Sequence, residues 1–188
     1  MYLAQIKSDN FNRLMDATKK FISDQNGNRI MYRYVQLSFS AQNSTVTAVA
    51  VDGYRMSVEH AVCFCEEDFA VYVKPNVKLP RGKEAVIELH KDENKSHNEC
   101  LIRCGDFIFG YPQPVGEFLN WKGVLPKGDP VYRIGFDGDF LISALQAAKV
   151  SLGSFKSPVV LEFRAPDQPI LLRTNKEDIK MVLPIRIK

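Results

Sequence analysis

The sequence has no apolar run near the roughly 20 residues that a membrane-spanning helix needs, so no membrane partner is expected. Residues 1–10 lack the apolar segment of a signal peptide, which argues for a cytoplasmic location. Excess charge of one sign is also missing: 25 Lys and Arg stand against 22 Asp and Glu, a net charge of +3. With a pI near 8.6, contact with nucleic acid is permitted. The strongly basic profile usual in sequence-specific DNA binders is excluded. Cysteine is scarce, with four residues. Cys63-x-Cys65 and Cys100-x3-Cys104 lie in strand-like apolar runs. A metal site or disulfides would be the functional reading, but zinc ligands favour C-x2-4-C pairs in tight turns. Buried thiols are therefore expected. His60, His90 and His97 lie in charged or loop segments without ligand spacing, so surface positions are expected. There is no glycine-rich phosphate loop, no metal triad, no nucleophile–base arrangement and no pair of carboxylates set for acid–base work. The expectation is a protein that is not an enzyme and that uses no cofactor and no metal.

What is present is an ordinary globular composition, 45% hydrophobic and 25% charged over 188 residues, enough for a sizeable core. Residues 1–7 alternate as a strand, and Ser8-Asp9-Asn10 offers an N-cap. Phe11, Leu14, Met15, Thr18, Phe21 and Ile22 then recur at helical spacing. Arg13, Asp16, Lys19 and Lys20 form the outer stripe, either merely solvated or facing phosphates. Strands are expected over 29–40, 45–51, 54–62, 69–73, 85–90 and 100–110. Residues 24–28 form a loop and 91–99 an exposed hairpin tip. Two prolines and a glycine make a regular helix unfavourable over 76–83. Residues 111–128, rich in proline and glycine, read as a linker. A strand over 131–136, a cap at Asp137, a helix bearing Leu141, Ala144, Leu145 and Ala148, and strands over 158–164, 169–174 and 180–187 complete the chain. The pattern is three β-α-β-β-β units of roughly 60 residues each, the middle one with a degenerate helix.

One stretch stands out, Val51-Asp52-Gly53-Tyr54-Arg55-Met56-Ser57. Asp-Gly supplies a tight turn. The stretch is either an ordinary hairpin or a peptide-docking surface, since Tyr, Arg and Met are enriched at such surfaces. It resembles the T-D-G-H-R-L-[AS] motif of the bacterial β sliding clamp, the processivity subunit of the replicative DNA polymerase. Gly105-Asp106-Phe107-Ile108-Phe109 and the run from Gly116-Glu117-Phe118 to Val124-Leu125-Pro126 resemble the end of that family's middle domain. Val182-Leu183-Pro184-Ile185-Arg186-Ile187 is similar to its C-terminal M-P-M-R-L. Residues 12–17, within the run 11–18, resemble the middle domain's first helix. Val51 stands for Thr and Tyr54 for His, and Leu119 stands where the family often has Pro.

The resemblance implies an α+β, DNA-clamp-like fold of antiparallel sheets backed by helices. Residues 1–127 would be a clamp-like domain of two units, and 128–188 half of another. It implies a replication processivity factor that contacts duplex DNA without sequence preference and docks polymerase, repair proteins and the clamp loader. A clamp mimic that binds partner peptides without encircling DNA is the alternative. The implied peptide pocket has Tyr34, Val51, Gly53, Tyr54, Arg55, Met56, Leu119 and Val124 on one wall. Phe140, Pro169, Val182, Leu183, Pro184, Ile185 and Arg186 make the other, although 182–187 also reads as a plain core strand. Arg13, Lys19, Lys20, Asn28, Arg29, Arg33 and Lys149 are the DNA-facing candidates. A third unit without a partner implies a homo-oligomer, a dimer or a ring of four.

Overall fold

Residues 1–23, 30–91, 97–153, 157–175 and 177–187 are described by the computed structural model. The chain divides into two units, Met1–Gly123 and Val124–Lys188.

In the first unit, β1 (Tyr2–Lys7) buries Ala4 and Ile6 and runs directly into α1 (Ser8–Thr18). Phe11, Leu14, Met15 and Thr18 face the core, as their spacing predicts. The expected cap is corrected: Lys7 holds the capping position without a side-chain bond, and Ser8 and Asp9 already lie in the first turn. The helix also stops at Thr18 and tightens into a 3-10 turn over Lys19–Phe21, short of the expected Ile22. Thr18 Oγ1 donates back to the Leu14 carbonyl at 2.7 Å, a bond that competes with helix continuation.

The strand expected from residue 29 begins later. Ile30–Arg33 is a 3-10 turn, and β2 spans Val35–Ser40. Then follow β3 (Thr45–Val51), β4 (Met56–Val62), the short β5 (Phe64–Cys65) and β6 (Phe69–Val73). Residues 74–83 form no helix, as Pro75, Pro80 and Gly82 dictate. β7 (Glu84–His90) leads on to β8 (Glu99–Cys104) and β9 (Phe107–Pro112). The single strand expected over 100–110 is thus a hairpin, folded at Gly105, whose φ of 58° suits glycine. β9 extends into the expected linker, which also holds the short α2 (Trp121–Val124). The loop expected at 24–28 and most of the hairpin tip at 91–99 lie outside the described residues.

Two antiparallel sheets result, in the orders β5-β1-β7-β8-β9 and β4-β3-β2-β6. Each half of this unit lends its first strand to the other, β1 pairing with β7 and β6 with β2. One core, including Phe11, Leu37, Val71 and Ile87, lies among α1 and the two sheets.

In the second unit, α3 (Gly138–Leu152) is capped by Asp137, as expected. Its Oδ1 accepts from the amides of Asp139 at 2.9 Å and Phe140 at 3.1 Å. A sheet of β10 (Val160–Glu162), β11 (Ile170–Arg173) and β12 (Ile179–Val182) follows in sequence order. The strand expected over 131–136 is reduced to one bridge, Gly135 to Ile185. The strand expected over 180–187 ends at Val182, before Pro184 interrupts the ladder. The core here is small: Ile170, Leu172 and Val182, packed with Phe136, Leu141, Ala144 and Val159.

Candidate docking and DNA-facing surfaces

The stretch between β3 and β4 is built around one carboxylate. Asp52 Oδ1 accepts from the amides of Tyr54 at 2.9 Å and Arg55 at 2.8 Å. Its Oδ2 accepts from Arg55 Nε at 2.9 Å and Nη2 at 2.6 Å. The Tyr54 amide, then the Arg55 guanidinium and amide, hold the Asp52 carboxyl below its ordinary value. Gly53, at φ 92°, takes the turn position an L side chain avoids. Arg55 Nη2 also donates to the Lys20 carbonyl at 3.1 Å, and its guanidinium lies 5.4 Å from the centre of the Phe21 ring. Arg55 is therefore a structural tie as well as a candidate contact. Tyr54 is left 97% exposed at the tip, Val51 is buried behind it and Met56 is half-buried.

Tyr34 is half-buried, its amide donating to the Met31 carbonyl at 3.2 Å. Leu119 lines a surface cavity of about 490 Å³ with Ile30, Met31, Val115 and Phe118. Reading 29–40 as one strand hid Ile30 and Met31 as its neighbours. Lys20 and Phe21 were missed as supports of Arg55, and no short-range signal links them to it.

In the second unit, Val124 is exposed at the end of α2 and Phe140 is exposed in the first turn of α3. Pro169 is half-buried ahead of β11. Val182 is buried with Ile170 and Leu172 and belongs to the core. Beyond it Leu183, Ile185 and Arg186 are exposed, Pro184 is half-buried, and the Ile185 amide donates to the Gly135 carbonyl at 2.9 Å.

The cationic candidates are partly neutralised. Arg13 Nη1 meets Glu59 Oε2 at 3.1 Å, and its Nη2 donates to the His60 carbonyl. Lys19 Nζ lies 2.7 Å from Asp16 Oδ1, and Lys78 pairs with the other oxygen. Lys19 and Lys78 together pull the Asp16 carboxyl down to about 2. Lys20 and Lys149 are exposed and Arg33 is half-buried. Asn28 and Arg29 lie outside the described residues.

All four cysteines are buried and free, as expected. Burial, then the neighbouring Cys65, pushes the Cys63 thiol up to about 12. Burial does the same to Cys100, to about 12. His60 and His97 are exposed and His90 is half-buried, 2.7 Å from Glu88. Among the described residues no helix is long and apolar enough to cross a membrane, and no group of three His, Cys, Asp or Glu could hold a metal ion.

No protein-family model matches the sequence, and no curated protein matches it. Solved structures do. A DNA polymerase sliding clamp from Bacillus subtilis superposes with a TM-score of 0.79 at 15% identity, over 97% of this chain and 49% of that one. A putative DNA polymerase III beta subunit from Eubacterium rectale gives 0.80 at 13% identity, over 97% and 50%. The DNA polymerase III subunit beta from Pseudomonas aeruginosa gives 0.67 at 16%, over 99% and 67%. The chain spans about half the length of the first two. The α+β architecture of antiparallel sheets backed by helices is thus the fold of the bacterial β sliding clamps.

Proposed function

We propose that this protein is a non-catalytic, clamp-like factor of DNA replication. It contacts duplex DNA through phosphates, without sequence preference, and docks polymerase and repair proteins through a short apolar peptide. It works as a homo-oligomer. The observation that carries the docking role is the Asp52–Arg55 loop on a sliding-clamp fold. A turn braced at both ends displays a free aromatic ring beside Met56. Such a pre-ordered anchor loses little conformational freedom on binding. Peptides of glutamine-leucine-phenylalanine type suit it, engaging Tyr54 and Met56 of the first unit.

A second reading, a clamp mimic that takes partner peptides without encircling DNA, draws support from the cations. Arg13 and Lys19 already face Glu59 and Asp16, which weakens their pull on phosphate. Pull-down of the full chain on an immobilised peptide, alongside duplex binding over a salt series, separates the two. Peptide and salt-sensitive duplex binding together support the clamp. Peptide binding without duplex binding supports the mimic. Neither one refutes both.

A further inference from the structure

In the first unit the strand lent by each half covers the open edge of the other. Leu37 and Phe39 of β2 are 0% and 3% exposed beneath β6. β1, besides meeting β7, touches β5 through Gln5 and Phe64.

The second unit repeats this plan piece by piece. Lys7 and Asp137 hold the same capping position ahead of α1 and α3. Gly135, two residues before its cap, bridges Ile185 after β12, as Gln5 meets Phe64 after β4. The strand that follows the helix reads Val35-Gln36-Leu37-Ser38-Phe39 in the first unit and Val159-Val160-Leu161-Glu162-Phe163 in the second. The order β10-β11-β12 matches β2-β3-β4. The difference is at the edges. Among the described residues nothing pairs with β10 on its outer side. Leu161, opposite the fully buried Leu172, is 40% exposed, and Phe163 is 46% exposed. Val131 and Tyr132 are exposed as well, on a segment in the place of β1 but, among the described residues, with no neighbour in the place of β7.

We propose that a second copy of this chain completes the unit, each copy laying residues 131–136 antiparallel on β10 of the other. This inference deepens the homo-oligomer part of the proposed function and gives it a surface. Applying the first unit's register sets Ile134 opposite the partner's Leu161, Tyr132 opposite the partner's Phe163 and Phe136 opposite the partner's Val159. It also brings Arg133 against the partner's Glu162, a cation facing a carboxylate on the other side of the sheet. Arg173 Nε at 2.7 Å and Arg164 Nη2 at 2.8 Å already hold Glu162 in position. Lending strand and accepting edge lie on the same chain, so a two-fold axis satisfies both at once. That self-complementarity, with apolar Ile134, Tyr132 and Phe136 meeting apolar Leu161, Phe163 and Val159, selects a second copy over an unrelated partner.

Light scattering on the full chain at micromolar concentration is expected to give about twice 21.3 kDa. Leu161→Lys, a charge on the edge strand, is expected to give monomer with an unchanged circular dichroism spectrum. Should that variant fail to fold, cross-linking decides. Ile134→Cys with Leu161→Cys forms a covalent dimer on mild oxidation, and Ile134→Cys with Val160→Cys, on the opposite face, forms little. A wild-type dimer that a folded Leu161→Lys leaves intact, or that the matched cysteines do not link, overturns this interface and leaves the oligomer reading standing. A monomer at every concentration overturns both. So does a monomer whose Leu161→Cys resists a maleimide, since its own chain then covers the edge.

Discussion

At the scale of single residues, Asp52 organises the candidate docking loop, and its charge is what the loop depends on. Its carboxyl is held below the ordinary value by the Tyr54 amide and by Arg55. A carboxylate with a lowered pKa contributes stability above its unfolded pKa and loses it as pH falls through the folded one. The contribution is therefore complete at neutral pH, starts to decline at about pH 4, the ordinary aspartate value, and is lost as pH falls through the lowered folded value. Asp52→Ala, which removes the acceptor of both amides and of the guanidinium, is expected to free Arg55 from the Lys20 carbonyl at every pH and to lower peptide affinity several-fold. Hydrogen exchange checks this: protection of the Tyr54 and Arg55 amides should fall at pH 7 in the variant, and only in acid in the wild type. Unchanged protection at pH 7 would contradict it. The Asp-Gly turn was legible in the sequence because turn chemistry is local. The tie to Lys20 and Phe21 was not, because it joins residues far apart in the chain.

At the scale of elements, the informative feature is the segment that replaces a helix. Proline and glycine made its non-helical character legible, but not what it does instead. It runs along α1 as a strap. Asn12 Nδ2 donates to the Leu79 carbonyl and Asn12 Oδ1 accepts from the Leu79 amide, both at 2.9 Å and both buried. Ser8 pairs with Lys83 in both directions, by amide to carbonyl at 2.9 Å and by hydroxyl from amide at 3.1 Å. Asp9 accepts from the Gly82 amide at 3.2 Å. Side chains that read as a helix cap are thus spent on the strap, which is why the predicted cap failed. Asn12→Ala leaves a buried amide and carbonyl without partners and is expected to cost about 2–3 kcal/mol. Urea denaturation measures it, and a loss below about 0.5 kcal/mol, typical of surface changes, would contradict the strap's role. The same locality explains the other corrections. Residues 131–136 have strand propensity, but a ladder needs a neighbour, and a sequence does not say whether one is present.

At the scale of the whole molecule, a net charge of +3 and ion-paired surface cations suit loose phosphate contact rather than base reading. Duplex affinity is expected to be weak, indifferent to sequence and to fall steeply with salt as counterions are released. Lys19→Glu with Lys20→Glu is expected to abolish most of it, since the change removes two cations and sets a new negative charge beside Asp16, which keeps its pairing with Lys78. Fluorescence anisotropy over a salt series checks this, and an affinity that ignores salt or prefers one sequence would contradict it. The fold itself was largely legible, because four motifs fall in order along the chain. The candidate sites were less so. Val182 stands in one apolar run with the exposed Leu183 and Ile185, and only its packing with Ile170 and Leu172 makes it core.

The claim at the centre of this account is that a sliding-clamp fold here serves to capture partner peptides. Titration calorimetry with a glutamine-leucine-phenylalanine-type peptide and the full chain tests it most directly. The account predicts micromolar binding, about −8 kcal/mol. It predicts a loss of about 1–2 kcal/mol for Met56→Ala, which truncates one apolar contact. No heat of binding with the wild-type chain, or full affinity in Met56→Ala, would contradict it.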